Sequence, residues 1–458
     1  MSDRPLLIVI LAAGKGTRMK SARPKVLHAV AGRSMLAHVL ALSADLGAHG
    51  IAVVVGPDMD DVRAEVRAWA PEAKIYEQRE QRGTGDAVLA AREAIAAHSG
   101  DVLVLYADTP LTRRPSLEAM RRQLDEGAGV CVLGFVAADP TGYGRLLTGS
   151  DGALLAIREH KDASPAELLV RLCNSGVIGF RVDDLAGLLE RIGNNNAKGE
   201  FYLTDAVEIA RGDGLRSSVV TCAEDEVLGV NSRDQLATAE AIWQRRARAV
   251  AMAAGVTMVA PETVWLAYDT AFGRDVVVEP NVFFGPGVTI EDDVHIRANC
   301  YLEGIDGKSR AGLRIAEGAT VGPFARLRPG TTIGRDVHIG NFVEVKNATM
   351  EDGAKANHLS YVGDARVGAG ANIGAGTIFC NYDGFNKNLC DVGAGVFIGS
   401  NSALVAPVRI GAGAYVAAGS TITRDVAADA LAIERAEQTE KPQWAAQYRI
   451  KMAAQKKR

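Results

Sequence analysis

Ile315-Ala-Glu-Gly-Ala-Thr-Val321-Gly-Pro-Phe-Ala-Arg-Leu327-Arg-Pro-Gly-Thr-Thr-Ile333-Gly-Arg-Asp-Val-His-Ile339-Gly-Asn-Phe-Val-Glu-Val345 places an aliphatic residue at every sixth position. A period of six matches neither the 3.6-residue turn of an α-helix nor the two-residue alternation of a half-buried strand. It fits a hexapeptide β-helix, in which each hexad is one short strand and turn. Three hexads close a triangular coil, and the aliphatic residue points into a narrow prism. Outward from this stretch the same spacing runs through Phe272, Val278, Phe284, Ile290, Ile296 and Leu302. It returns at Tyr361, Val367, Ile373 and Phe379, and again from Val392 through Ile398, Leu404, Ile410 and Val416 to Ile422. Glycine often follows the aliphatic residue, and the 49 glycines of the chain are concentrated after about residue 280. The rhythm breaks near 303–314, 346–360 and 380–391, where loops are expected to leave the coil and to carry chemistry.

Before residue 232 the pattern is different. Leu6–Leu11, Ile51–Val55 and Asp101–Tyr106 are continuous apolar runs, and helical stretches such as Met35–Leu46 and Thr84–Ala97 separate them. Such alternation predicts an α/β domain with a mostly parallel sheet. Residues 232–253 read as one linker helix, with a Ser cap, an acidic first turn and basic residues later. The expected division is therefore 1–231, the linker 232–253, and a β-helix domain 254–458.

The 458 residues suit two domains, and 48% hydrophobic with 23% charged residues is an ordinary globular balance. A net charge of −4 gives no general attraction to nucleic acid or anionic membrane. The six cysteines contain no CxxC pair, so a disulfide framework or zinc site is not expected. The apolar start is short and runs into Gly14-Lys15-Gly16-Thr17-Arg18, which suits a buried strand rather than a cleaved leader. A cytoplasmic protein with no membrane partner is expected. The basic end, Lys451 to Arg458, reads as a solvated and partly disordered tail.

Leu11-Ala12-Ala-Gly14-Lys-Gly-Thr-Arg18 follows the first strand. Its glycines let backbone N–H groups approach phosphates, and Arg18 adds charge. It is neither a Walker A sequence nor a dinucleotide fingerprint, since Met19 stands where a third glycine would be. Pro24-Lys25 adds a second cation. Gln78, Gln81, Gly83 and Thr84 suit a pyrimidine edge. Tyr106-Ala107-Asp108 ends a strand where α/β sheets place ligands, and Gly229-Val-Asn231 ends the domain.

These residues resemble the signature of sugar-1-phosphate nucleotidyltransferases. Joined to the hexapeptide repeats, nearly the whole chain is similar to the family of bifunctional N-acetylglucosamine-1-phosphate uridyltransferases/glucosamine-1-phosphate acetyltransferases. The resemblance implies a Rossmann-like nucleotidyltransferase domain, a linker helix and a left-handed parallel β-helix. It implies that Gly14, Arg18 and Lys25, with Leu11 and Ala12, hold the triphosphate of UTP. Gln78, Gln81, Gly83 and Thr84 then read uracil, and Asp108 and Asn231 bind Mg²⁺. Tyr106, Gly144, Glu159 and Asn174 hold the sugar. Three positions depart from the family pattern. Ala107 replaces a glycine, Asp86 stands at a usual histidine, and Lys198 at a common glutamine.

The interrupted part of the β-helix is dense in Arg, Lys, His, Tyr and Asn, which a purely structural solenoid does not need. An amine attacking a thioester must shed a proton, and histidine is suited to take it. His358 lies in a register break with cations nearby, unlike His295 and His338 inside regular hexads. A carboxylate beside it would orient the ring, and Glu344 is the candidate. The resemblance makes His358 the general base and places the Ala375 N–H at the oxyanion. It implies that Arg328 and Lys346 hold the phosphate of glucosamine-1-phosphate, and that Tyr361, Asn372, Asn381 and Tyr382 shape the sugar and thioester site. Ser400, Ala418 and Arg435 lie toward the coenzyme of acetyl-CoA. It also implies a homotrimer.

Two other readings make different demands on the sequence. A nucleotidyltransferase with a merely oligomerising β-helix predicts a short helix without the His/Lys/Arg set. A non-catalytic solenoid predicts no phosphate loop.

Overall fold

The computed structural model describes residues 4–456, and contacts divide the chain into two compact units at 247/248. The first unit is built on strands β1 (Leu6–Leu11), β2 (Gly50–Val55), β3 (Lys74–Glu77), β4 (Asp101–Tyr106), β5 (Val130–Val136), β6 (Arg145–Thr148), β7 (Leu154–Arg158), β8 (Leu172–Phe180) and β9 (Ser217–Cys222). The main order is β9-β5-β8-β4-β1-β2-β3. Only β8 runs against its neighbours along this path, and the β6–β7 hairpin is attached to it. The continuous apolar runs have a simple cause. Leu6, Ile8 and Ile10 enter one core with Val53, Leu103 and Leu105, while Leu7 and Val9 enter a second with Val54, Val102 and Val104. A strand covered on both faces has no polar side to show.

The helical reading of 84–97 resolves into two short helices, Thr84–Leu89 and Arg92–Ala96. Between them the backbone tightens, with Ala91 N–H donating to Val88 O at 3.0 Å. The expected linker forms a helix over Arg233–Ala253. The division of the chain falls inside this helix rather than at its two ends. Its first turns are tied to the first unit by Arg233 to Met19 O (3.4 Å) and Arg246 to Leu111 O (2.9 Å).

The second unit is the parallel β-helix of the hexad reading, with strands stacking coil on coil in ladders of ten and fourteen strands. Leu302, Ile315, Val321, Leu327, Ile333 and Val345 are fully buried. A coil is typically 18 residues, as in Val277↔His295 and Arg326↔Glu344. Two steps, His295↔Thr320 and Asn372↔Phe397, span 25 residues because loops leave near 303–312 and 381–389.

The third break corrects the sequence reading. Residues 346–360 form no such loop. Strands Glu344–Met350 and Lys355–His358 continue the ladders, but the coils shorten to 17 residues, as in Glu344↔Tyr361. One residue fewer shifts the inward set. Val362 is fully buried where Tyr361 was expected, and Tyr361 faces outward. Phe272, at the first coil, is only half-buried. The basic end is also not the disordered tail expected, because Trp444–Lys456 forms a helix with no buried residue. Lys457 and Arg458 lie outside the described residues. Among the described residues no helix is long and apolar enough to cross a membrane.

Candidate functional site

At the carboxyl ends of β1 and β4 a cleft of about 350 Å³ is lined by Leu11, Ala12, Gly14, Lys25, Gln78, Gln81, Gly83, Thr84, Tyr106 and Asp108. Ten residues read from separate stretches of sequence thus meet at one place, as the end of a parallel sheet favours. The N–H groups of Gly14 through Arg18 donate to no other group among the described residues, so the loop can offer several donors to an anion. Gly16 sits at φ +61°, and a Cβ there would lie 2.4 Å from Lys25 Cβ. Glycine therefore lets the loop close over the lysine stem.

Lys25 is nearly buried. Its Nζ donates to Asp108 Oδ2 (2.5 Å) and to Asn231 Oδ1 (2.9 Å). The Asn231 segment is held in place by Val230 N–H to Asp108 O (2.9 Å). Two oxygen donors therefore converge on one cationic point. This donor set fits Mg²⁺, which takes one or two protein oxygens and fills its shell with water and phosphate. Among the described residues there is no cluster of three His, Cys, Asp or Glu side chains that could hold a metal ion.

On the pyrimidine side, Gln81 Nε2 donates to Ala13 O at 2.5 Å, and Leu203 N–H donates to Thr84 Oγ1 at 3.0 Å. Gly83 has φ +132°, and a Cβ there would lie 2.4 Å from Phe201 O. Its N–H donates to nothing else among the described residues.

Gly144, Glu159 and Asn174 form a neighbouring group. Asn174 N–H donates to Gly144 O (2.8 Å), and a Cβ on Gly144 would stand 3.3 Å from Glu159 Oε1. Burial pushes the Glu159 carboxyl up from its ordinary value, with Lys198 acting in the opposite direction. The Tyr106 ring packs on Gly176, and its hydroxyl is pushed well up by burial and by Asp108 and Glu159. Tyr106 thus joins the cleft to the Glu159 group. Arg18 is exposed at the end of the phosphate loop.

Glu200 also lines the cleft, and the sequence reading passed over it. Its signal was the Gly199-Glu-Phe-Tyr-Leu-Thr-Asp205 segment. Of the departures, Ala107 is fully buried in the sheet's core. Lys198 lies 5.7 Å from the Tyr202 ring centre and 4.0 Å from Glu200.

In the β-helix, one position repeats along an edge. Asn341 is opposite His358, and Gly376 N–H donates to His358 O (3.2 Å). Asn401 N–H donates to Ala375 O (2.7 Å), Gly419 N–H to Ser400 O (2.8 Å), and Arg435 Nη1 to Ala418 O (2.6 Å). Asn341, His358, Ala375, Ser400 and Ala418 therefore stack coil upon coil, about 4.8 Å apart. The Ala375 N–H donates to no other group among the described residues.

The carboxylate expected beside His358 is not there. Glu344 Oε1 accepts from Arg328 Nη1 at 2.9 Å, while His358 Nδ1 faces Asn341 Oδ1 at 2.7 Å. Glu344 lies within a strand of the fourteen-stranded sheet and points out from its face. The edge position one coil before His358 belongs to Asn341. His295, inside a regular hexad, pairs with Glu279.

Arg328 and Lys346 sit on adjacent coils, since Arg326↔Glu344 and Leu327↔Val345 pair. The Tyr361 hydroxyl lies over Gly363, where a Cβ would be 2.3 Å away. Asn372 belongs to the ten-stranded sheet, beside Lys355 and Phe397, and so lies on a different face from Arg328, Lys346 and Tyr361.

The 381–389 loop is a small hairpin in which Tyr382 faces Lys387. That pairing returns Lys387 to Lys346. Contact with Lys387, then burial, then Arg328 pull the Lys346 ammonium down from its ordinary value. Asn381 is anchored from behind by Asp364, which also accepts from Asn347 Nδ2 at 2.5 Å. Lys387, Asn341 and Asp364 escaped the sequence reading. Lys387 lies in a stretch without period, and the other two look like ordinary turn residues.

Comparison with known proteins agrees with both halves. Residues 8–171 match the family model of the MobA-like NTP transferase domain, and 312–347 with 390–424 match the bacterial transferase hexapeptide model. A "Bifunctional protein GlmU" of Azorhizobium caulinodans is 61% identical over 450 residues, covering 98% of each chain. Those of Xanthobacter autotrophicus (59% identical, 98% of each chain) and Paramagnetospirillum magneticum (52%, 100% of this chain and 99% of the relative) extend the match. With an NTP-transferase cleft at one end of its sequence and hexapeptide coils over the other, the chain is a bifunctional transferase and belongs to the GlmU family.

Proposed function

We propose that this chain makes UDP-N-acetylglucosamine in two steps, acetyl transfer first and uridylyl transfer second. The observation that carries the first step is the edge on which His358 and the unengaged Ala375 N–H occupy adjacent coils. With Asn341 Oδ1 accepting from Nδ1, the His358 Nε2 keeps its lone pair. The free amine of glucosamine-1-phosphate attacks the thioester carbon of acetyl-CoA. His358 Nε2 takes the amine proton, and the Ala375 N–H donates to the tetrahedral oxyanion. The C–N bond forms, the C–S bond breaks, and the thiolate leaves and is protonated. Arg328, Lys346 and Lys387 hold the sugar phosphate. Tyr361, Asn372, Asn381 and Tyr382 shape the sugar and thioester pocket, and Ser400, Ala418 and Arg435 receive the coenzyme. Glu344 acts by fixing Arg328.

In the second step a phosphate oxygen of N-acetylglucosamine-1-phosphate attacks the α-phosphorus of UTP in line, and pyrophosphate leaves. The N–H groups of the Gly14–Arg18 loop, the Arg18 guanidinium and Lys25 hold the triphosphate, beside Leu11 and Ala12. Gln78, Gln81, Gly83 and Thr84 read uracil. Tyr106, Gly144, Glu159 and Asn174 position the sugar. Asp108 and Asn231 would hold Mg²⁺. When bound, Mg²⁺ offsets the repulsion between the two phosphate-bearing substrates. No protein nucleophile is needed. A cytoplasmic homotrimer is part of this reading, on the strength of the family and the repeats.

Titration of Mg²⁺ against wild type and Asp108→Asn tests the second site. The account expects the variant to lose at least ~100-fold in uridylyl transfer and to need more Mg²⁺, with acetyl transfer unchanged. A wild-type Mg²⁺ dependence in the variant contradicts it.

A further inference from the structure

The Gln78 side chain forms part of the cleft wall and is almost wholly buried. Its Nε2 lies 2.9 Å from Asp86 Oδ2 and 3.1 Å from Gly83 O. Both of these groups only accept hydrogen bonds. A carboxamide can be turned end for end unless its neighbours distinguish nitrogen from oxygen, and here two acceptors do so. Both N–H groups are consumed within the protein. Oε1, a pure acceptor, is the atom left for the cleft.

Asp86 is itself held. Its Oδ1 accepts from Arg82 Nε (3.1 Å) and Nη2 (2.7 Å), which leaves Oδ2 turned to Gln78. The backbone of Gln78 is fixed as well, its N–H donating to Val55 O at 2.9 Å. The cleft wall therefore shows the Gly83 N–H as donor and the Gln78 Oε1 as acceptor. Uracil presents a carbonyl beside an N3–H, which is the complement. Cytosine presents an amino group beside a bare N3, which is the reverse.

We infer that Asp86 is a positioning residue that makes the nucleotide cleft choose uracil over cytosine, by locking Gln78 with its oxygen toward the base and being locked in turn by Arg82. The inference rests on reading the cleft as the uracil site. Asp86 stands where the family usually has histidine, so this chain sets its glutamine with an ionised acceptor. A neutral amide at that position can donate as easily as accept, and it removes the bias. The Gly83 carbonyl remains as the one weaker restraint.

The test compares kcat/KM for UTP and CTP, with N-acetylglucosamine-1-phosphate as acceptor, in wild type, Asp86→Asn and Arg82→Gln. Acetyl transfer by the same preparations is the internal control for folding. The expected result is a strong UTP preference in wild type. In Asp86→Asn the kcat/KM for UTP falls about tenfold, mainly through KM, and the preference over CTP shrinks by at least as much. Arg82 is more than half exposed, so Arg82→Gln leaves the fold intact and moves the same ratio in the same direction by about two- to threefold. If wild type prefers UTP and both variants keep its ratio, Asp86 does not set the choice and the inference is overturned. If wild type uses CTP as well as UTP, the uracil reading itself falls, and the inference with it.

Discussion

His358 Nδ1 stands 2.7 Å from Asn341 Oδ1, the residue at the same edge position one coil earlier. A single amide oxygen thus decides which imidazole nitrogen faces the next coil. Replacing Asn341 by Ala removes the acceptor and frees the ring to turn. We expect kcat for acetyl transfer to fall about 10–100-fold, a usual range for a group that orients a catalytic side chain. Asn341→Asp, which keeps an acceptor oxygen, should retain more activity than Ala. Equal losses in the two variants, measured by thiol release from acetyl-CoA, would show that the contact has no orienting role.

Lys346 gives a pH prediction. Its ammonium is pulled below the ordinary lysine value first by Lys387, then by burial and Arg328. A lowered value means that it sheds its proton at a lower pH than an isolated lysine. The KM for glucosamine-1-phosphate should therefore begin to climb on the alkaline side earlier than lysine chemistry alone requires. Lys387→Ala should raise KM at neutral pH by about tenfold and move the alkaline rise to higher pH. KM measured from pH 7 to 10 checks both, and an unmoved limb contradicts the pairing.

Glu159 couples binding to stability. Burial raises its carboxyl above the ordinary value. A raised acid contributes stability that is fully present below its unfolded value and is lost as pH rises through the folded one. Around pH 7.5 the first unit therefore bears the cost of a desolvated charge. Glu159→Gln should raise its Tm by about 2–4 °C at that pH, with little change near pH 4, while KM for the sugar phosphate rises. A Tm gain that is the same at both pH values would contradict the burial argument.

Much of this was legible in the sequence, and the exceptions share a cause. The hexads announced the coils because a prism core admits only one inward residue in six. The phosphate loop, Lys25 and Asp108 stood out because glycine, cation and strand-end carboxylate each have a local signature. The 17-residue coils were not visible as coils. Dropping one residue shifts the inward position from Tyr361 to Val362 and looks like a loop to a search for period six. Asn341 and Lys387 were missed for a related reason. Each acts across coils, on partners 17 residues away at His358 and 41 away at Lys346, and only register reveals such pairs. Glu344 was misread because spacing suggested a neighbour of His358, whereas the pleat turns it to Arg328.

The central claim is that one chain holds two separable activities, with acetylation dependent on His358. The most direct test is mass spectrometry of the products from glucosamine-1-phosphate, acetyl-CoA, UTP and Mg²⁺, with wild type and His358→Ala. The account predicts UDP-N-acetylglucosamine from wild type, and from the variant only when N-acetylglucosamine-1-phosphate is supplied. A variant that still acetylates contradicts the role of His358, and a wild type that accepts only the pre-acetylated sugar reduces the β-helix to an assembly module.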